Sequence, residues 1–184
     1  MSHEWATERL LLGALQPQDA PELFAIFSDP LTVEYTEWEP FQSISSAEWL
    51  IHWAMDAANQ EPRTVFAWAI RWRSPEETKL LGIATLTVRN PSLREASVGY
   101  ILDRASWGQG IATESARGVL DLAFRQLGLH RVTGSCCPEN VGSVRVLEKI
   151  GMRYEGRLRQ NNWEKGRWRD TTIYALLEHE VDVH

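Results

Sequence analysis

Residues Gly110 to Gln126 constrain the fold of this chain more than any other stretch. Ile111, Ala112, Ala116, Val119, Leu120, Ala123, Phe124 and Leu127 recur at three- and four-residue steps. That spacing puts apolar side chains on one face of an α-helix. A helix with one apolar stripe must bury it against a second layer. Strand-like runs elsewhere supply that layer. Val65 to Trp72 and Leu80 to Val88 are joined by the polar RSPEETK, and Ala96 to Leu102 follows the turn Asn90-Pro91-Ser92. Arg9 to Leu15, Arg131 to Cys136, and two closing segments near 152–160 and 168–177 also read as strands, the last two flanking a loop NNWEKG. Three more helices are expected. Asp19 with Glu22 and Ser45 with Glu48 have the spacing of capping boxes, and Asn140 to Lys149 ends at Gly151. Helices alternate with strands, yet hairpins sit at both ends. The expected class is therefore α/β (α+β) with a mixed sheet. With no repeat, low-complexity tract or linker, residues 1–184 read as one domain.

Composition excludes several classes of function. At 184 residues the chain can bury a full core. No apolar run approaches the roughly 20 residues of a membrane span. The opening MSHEWATERLLLGAL is polar and acidic with no basic n-region, so the reading is a cytoplasmic protein without membrane association. A net charge of −6 argues against general nucleic-acid affinity and suits a cationic acceptor. The adjacent Cys136 and Cys137 fit neither an ordinary disulfide nor a zinc site and read as reduced strand residues, and no metal is expected.

The stretch 104-RASWGQGIATESARG-118 leads into the best helix of the chain. Gly108 and Gly110 permit close backbone approach and positive φ, while the loop before Ile111 offers no Ser, Thr, Asp or Asn at the cap. Bare amides at the positive end of a helix dipole are a ready site for phosphate oxygens. A plain hydrated turn has the same pattern, and Glu114 in the first turn already suits the dipole. The stretch is not a P-loop, because it has no lysine, and it lacks the third glycine of a dinucleotide fingerprint.

The opening TERLLL, then EASVGYILDRASWGQGIATESARGVLDLAF, LGLHRV, PENVGSVRVLEKIGM, YEGRLR and GRWRDTTIYALL together resemble the GNAT N-acetyltransferases, and within them the RimJ/RimL type that acetylates protein N-termini. The resemblance implies a mostly antiparallel twisted sheet of about seven strands, helices on both faces and a splayed central pair. It implies acetyl-coenzyme A as co-substrate. The pyrophosphate would lie on amides from Gly108, Gln109, Gly110, Ile111, Ala112 and Thr113, with Trp107 at the first position of the cofactor loop, a departure from the general Arg/Gln. The pantetheine arm would lie along Tyr100, Ile101 and Leu102 and against Asn140. The tyrosine that many relatives use to protonate the departing thiolate is replaced by Leu147, and Ser143 is the implied substitute.

The acceptor is less defined. The resemblance implies a protein N-terminal α-amine attacking the thioester directly, with no covalent enzyme intermediate. A small amine (polyamine, antibiotic or amino acid) and a coenzyme A-binding sensor without chemistry are the other readings. Candidate bases are Glu37, Glu39 and Glu155, with Glu164 and Asp170 near the last hairpin. Asn161 and Asn162 stand where some relatives carry an acid. Trp38, Phe41 and Trp163 are candidates for an acceptor wall. A monomer or a homodimer is expected.

Overall fold

The computed structural model describes residues 4–74 and 76–181. Eight strands form one sheet in the order β1-β2-β3-β4-β5-β6-β8-β7. They are β1 (Trp5–Ala6), β2 (Leu10–Gly13), β3 (Val65–Trp72), β4 (Leu80–Asn90), β5 (Glu95–Leu102), β6 (Arg131–Cys136), β7 (Arg153–Glu164) and β8 (Arg167–Leu177). Every neighbouring pair is antiparallel except β5 and β6. The expected mixed sheet is present, with eight strands instead of about seven. The additional one is the two-residue β1, too short to show period-two alternation in the sequence.

Among the described residues five α-helices cover the sheet: α1 (Ala20–Ser28), α2 (Pro30–Val33), α3 (Ile44–Ala58), α4 (Ile111–Asp121) and α5 (Val141–Lys149). Alternation along β3 assigns the faces. Phe66, Trp68 and Ile70 join Ile111, Ala116, Val119, Leu120 and Leu147 under α4 and α5. Ala69, with Leu80 and Ile83 of β4, packs beneath α1 and α3 against Leu23, Phe27, Leu50 and Ile51. The apolar stripe of α4 is thus buried on a sheet face. Its last turn, Leu122–Gln126, widens to π geometry and carries the helix to the expected end.

Local signals differ in three places. Asp19 precedes α1 without capping it. Its carboxylate is buried, where it accepts from the Gln16 amide at 2.8 Å and pairs with Arg71, while Glu22 accepts from the Leu80 amide at 3.0 Å. Tertiary partners have taken both acids from the cap. The α3 cap position is Ser43, so Ser45 lies inside the first turn with its hydroxyl 2.6 Å from that of Ser43. Finally, most of the expected NNWEKG loop is strand. Lys165 (φ +49°) and Gly166 (φ +75°) make a two-residue turn, and positive φ at both positions matches the strand twist.

Candidate active site

The loop before α4 has the geometry that its glycines permit. Gly108 (φ +75°) and Gly110 (φ +79°) are left-handed, and α4 starts at Ile111 with no side-chain cap. A Cβ on Gly108 would meet nothing within 4 Å, so the space over the loop is open. Glu114 does not compete for the free amides. Its carboxylate is drawn toward the start of β2, where it accepts from the Thr7 hydroxyl at 2.6 Å, the Arg9 amide at 2.7 Å and Arg9 Nε at 2.6 Å. Burial alone pushes the Glu114 carboxyl up, but these bonds outweigh it and hold the group below the usual glutamate range. Side chains fix the loop from outside: Arg9 Nη1 donates to the Gln109 carbonyl at 3.2 Å and Gln109 Nε2 to that of Ala105 at 2.8 Å. Trp107 is half-exposed, and its indole N–H bonds the Leu102 carbonyl at 3.1 Å, tying the loop to the end of β5. Ile111 points into the core, while Ala112 and Thr113 are half-buried.

Beside this loop the sheet opens. β5 and β6 pair only at Glu95–Arg131, Ala96–Val132 and Ser97–Thr133, so the remainder of β5, through Tyr100, Ile101 and Leu102, runs on without β6. Peptide groups along such a gap are free to bond an extended ligand arm. The first turn of α5 stands across it. Asn140 Oδ1 accepts from the Ser143 amide at 3.0 Å, an ordinary N-cap that fixes Ser143. The Tyr100 hydroxyl donates to the Ser143 carbonyl at 3.4 Å, and burial pushes its pKa up, so the phenol stays protonated. Leu147 is 2% exposed and belongs to the core beneath α5.

A polar cavity of about 110 Å³ lies at the C-terminal end of β6. Three segments distant in sequence wall it: Tyr35 and Glu37 after α2, Ser135 to Cys137 at the end of β6, and Asn162, Glu164, Arg169, Asp170 and Thr171 from the β7–β8 hairpin. Its floor is Arg169, 6% exposed. Arg169 Nη2 donates to the Glu34 carbonyl at 3.0 Å and Nη1 reaches Cys137 Sγ at 3.7 Å. Asp170 is occupied, taking Arg157 Nε at 2.6 Å and the Gln160 amide at 2.8 Å. Glu37 and Glu164 face the cavity without a hydrogen-bond partner among the described residues. Burial pushes the thiols of Cys136 and Cys137 up, so both are held as neutral SH.

Several expected positions lie elsewhere. Glu155 is gripped by both terminal nitrogens of Arg131, at the opposite end of β6 from the cavity, and this pairing holds its carboxyl below the usual range. Glu39 is exposed and does not line the cavity. Phe41 is buried and stacked on Phe27 at 4.8 Å, with the half-buried Trp38 edge-on to both; these two rings pack on the α1–α3 core and do not line the cavity. Trp163 is exposed and packs edge-on to Trp168 at 5.2 Å, also outside the cavity. Asn161 is exposed, whereas Asn162 lines the cavity and bonds Thr171. Arg169 is a cavity residue that sequence reasoning does not single out; its one local signal is a charged residue in phase with Thr171, where the β8 pattern points inward. Among the described residues no cluster of three or more His, Cys, Asp or Glu has metal-binding geometry, and no helix is long and apolar enough to cross a membrane.

Uncapped amides at the start of α4 thus follow the free end of β5, and a cavity containing carboxylates lies at the end of β6. Residues 9–153 match the acetyltransferase (GNAT) domain model. The chain belongs to the GNAT acetyltransferase family and is an acetyl-coenzyme A-dependent N-acetyltransferase. It is 30% identical to the uncharacterized N-acetyltransferase p20 of Bacillus licheniformis over 95% of this chain and 96% of that protein. A GNAT-family acetyltransferase structure from Bacillus anthracis superposes with a TM-score of 0.85 at 25% identity, covering 96% of this chain and 99% of the other. Two further matches carry acceptor names. The [ribosomal protein uS5]-alanine N-acetyltransferase of Escherichia coli is 23% identical over 92% of this chain and 88% of its own length. The spermidine N-acetyltransferase structure from Vibrio cholerae has a TM-score of 0.80 at 22% identity, covering 95% and 98%.

Proposed function

We propose that the protein acetylates the N-terminal α-amine of a protein or peptide, as a RimJ/RimL-type enzyme. The observation that carries this reading is the choice of bases in the cavity. It is lined by carboxylates, with no histidine or lysine. A carboxylate is a weak base. An α-amine, with a pKa near ~8, is neutralised far more easily at pH 7 than a lysine amine near ~10.4. The relationship to the uS5-alanine enzyme supports the same acceptor. A polyamine acceptor is the second reading, favoured by the acids and by the spermidine-enzyme likeness.

On this reading the amides of Gly108 to Thr113 hold the pyrophosphate at the α4 dipole. The free edge of β5 at Tyr100 to Leu102 bonds the pantetheine arm, with Asn140 opposite. Acetyl-coenzyme A supplies an acetyl thioester. The two bound partners gain effective molarity from placement alone. Glu37 or Glu164, directly or through water, takes the ammonium proton. The C–N bond forms as the C–S bond breaks, the Ser143 hydroxyl supplies a proton to the departing sulfur, and the second proton leaving the nitrogen returns through water to the Ser143 oxygen. A thiolate of pKa near that of cysteine, ~8.5, needs only this modest help. Free-thiol release from acetyl-coenzyme A, measured with N-terminal peptides, polyamines and aminoglycosides, tests the reading. Peptide turnover is expected, and exclusive turnover of polyamines refutes it.

A further inference from the structure

The cavity at the end of β6 contains a feature that a plain amine does not use. Arg169 is buried, yet its Nε has no hydrogen-bond partner among the described residues. Its other two nitrogens are engaged by the Glu34 carbonyl and Cys137. Glu164 Oε2 stands 3.8 Å from Nε, within ion-pair range but beyond a hydrogen bond. Buried guanidinium N–H groups without an acceptor are rare, because a lone donor out of water is costly. The cavity volume of about 110 Å³ corresponds to a few waters and leaves room for a small polar head group. Glu37 and Glu164 supply negative charge beside this donor. The lining thus offers carboxylates for an ammonium, while the Arg169 N–H lies buried 3.8 Å from Glu164 Oε2 and meets a ligand oxygen only when that carboxylate turns aside.

We propose that Arg169 makes this enzyme selective for amines that carry a carbonyl or carboxylate oxygen on the adjacent carbon, that is, for an α-aminoacyl unit. The inference rests on the acetyltransfer reading above and narrows its acceptor. The ammonium lies toward Glu37 and Glu164, and the neighbouring oxygen accepts from Arg169 Nε as Glu164 turns toward the amine. Alkyl amines and polyamines satisfy the carboxylates and leave the N–H empty. A site built to bond a substrate oxygen rejects the analogue that lacks it, since its own buried donor then stays unpaired. The chemistry is shared by free amino acids and by peptide N-termini, and the two sources differ in the charge on that oxygen.

The test is kcat/KM by thiol release, referred to the neutral amine fraction, for an alanyl tripeptide, alaninamide, free alanine, isopropylamine and spermidine. At least one α-aminoacyl compound is expected to exceed isopropylamine by about ten- to hundred-fold, the range of one charge-assisted hydrogen bond. Preference for free alanine over alaninamide and the tripeptide assigns the source to the amino acid; the reverse assigns it to the peptide N-terminus. In Arg169→Lys and Arg169→Gln the ratio of the best α-aminoacyl compound to isopropylamine should fall toward one, with KM for acetyl-coenzyme A unchanged. The wild-type panel decides the matter even where a variant does not fold. If the best α-aminoacyl compound and isopropylamine react within about threefold, selection by Arg169 is refuted, while turnover of the tripeptide still leaves peptide acetylation standing. If spermidine reacts and every α-aminoacyl compound is inert, both readings fall.

Discussion

Replacing Gly108 separates a binding loop from a turn. Gly108 has φ +75° and nothing within 4 Å of a Cβ, so Gly108→Ala adds backbone strain without collision. A left-handed non-glycine residue costs about 1–2 kcal/mol, which at this chain length lowers Tm by roughly 2–8 °C. Gly128 is the control, because it has φ +60°, equally open surroundings and a place beyond the far end of α4. Gly110 is a poorer probe, since its Cβ would stand 3.3 Å from the Arg9 guanidinium and an introduced acid would pair there. The informative variant is Gly108→Asp. A carboxylate about 4 Å from one phosphate charge at a near-surface effective dielectric costs about 4 kcal/mol, close to a thousandfold in affinity. Titration calorimetry with coenzyme A on Gly108→Asp, Gly108→Ala and Gly128→Asp provides the measurement. Gly108→Asp should lose binding, while Gly128→Asp loses a similar amount of thermal stability and keeps its affinity. Equal affinity in the two aspartate variants, or unchanged affinity in Gly108→Asp, refutes an anion cradle at this loop.

Ser143→Ala should lower kcat by about ten- to hundred-fold with little change in coenzyme A affinity, as single-turnover kinetics alongside calorimetry will show. Leu147→Ala empties a core position that is 2% exposed and should cost about 2–5 kcal/mol in urea unfolding. Because that side chain is sealed under α5, Leu147→Tyr should destabilise without restoring the rate lost in Ser143→Ala. Glu114 has a lowered pKa in the folded state, so it stabilises the fold above the unfolded glutamate pKa. That contribution disappears as pH falls through the folded value. Glu114→Gln should therefore be less stable than wild type at pH 7, with the difference vanishing below the glutamate range, as unfolding curves across pH would show.

Legibility divided along a physical line. The α4 stripe, the bounds of β3 and β6 and the uncapped loop were readable, because each is set by residues within one or two turns of one another. Signals failed where a distant partner competed for the same group. Asp19 and Glu22 had box spacing but were taken by Arg71 and the Leu80 amide. Glu155 within the YEGRLR segment reads as a free acid, yet Arg131 claims it. Trp38 and Phe41 could not be assigned from sequence because an aromatic side chain suits a core and a pocket equally. Arg169 was hidden for the same reason in reverse: its burial depends on Tyr35, Cys137 and Glu164 arriving from three segments.

The two halves of the site are also held differently. The loop and the free edge of β5 offer mainly backbone groups from the continuous run 99–113, and what they require of the sequence is glycine and the absence of a cap. The cavity is made of side chains, and its walls are joined by the β7–β8 hairpin. Lys165 at the hairpin turn bonds the Val33 carbonyl and Arg169 bonds that of Glu34, so two cations satisfy carbonyls at the C-terminal end of α2. Those bonds position Tyr35 and Glu37 against the hairpin. On the proposed reading, a substitution in the hairpin alters which amine fits while leaving the loop and the β5 edge intact. That reading assigns acceptor choice to residues 33–37 and 162–171, separate from the thioester side.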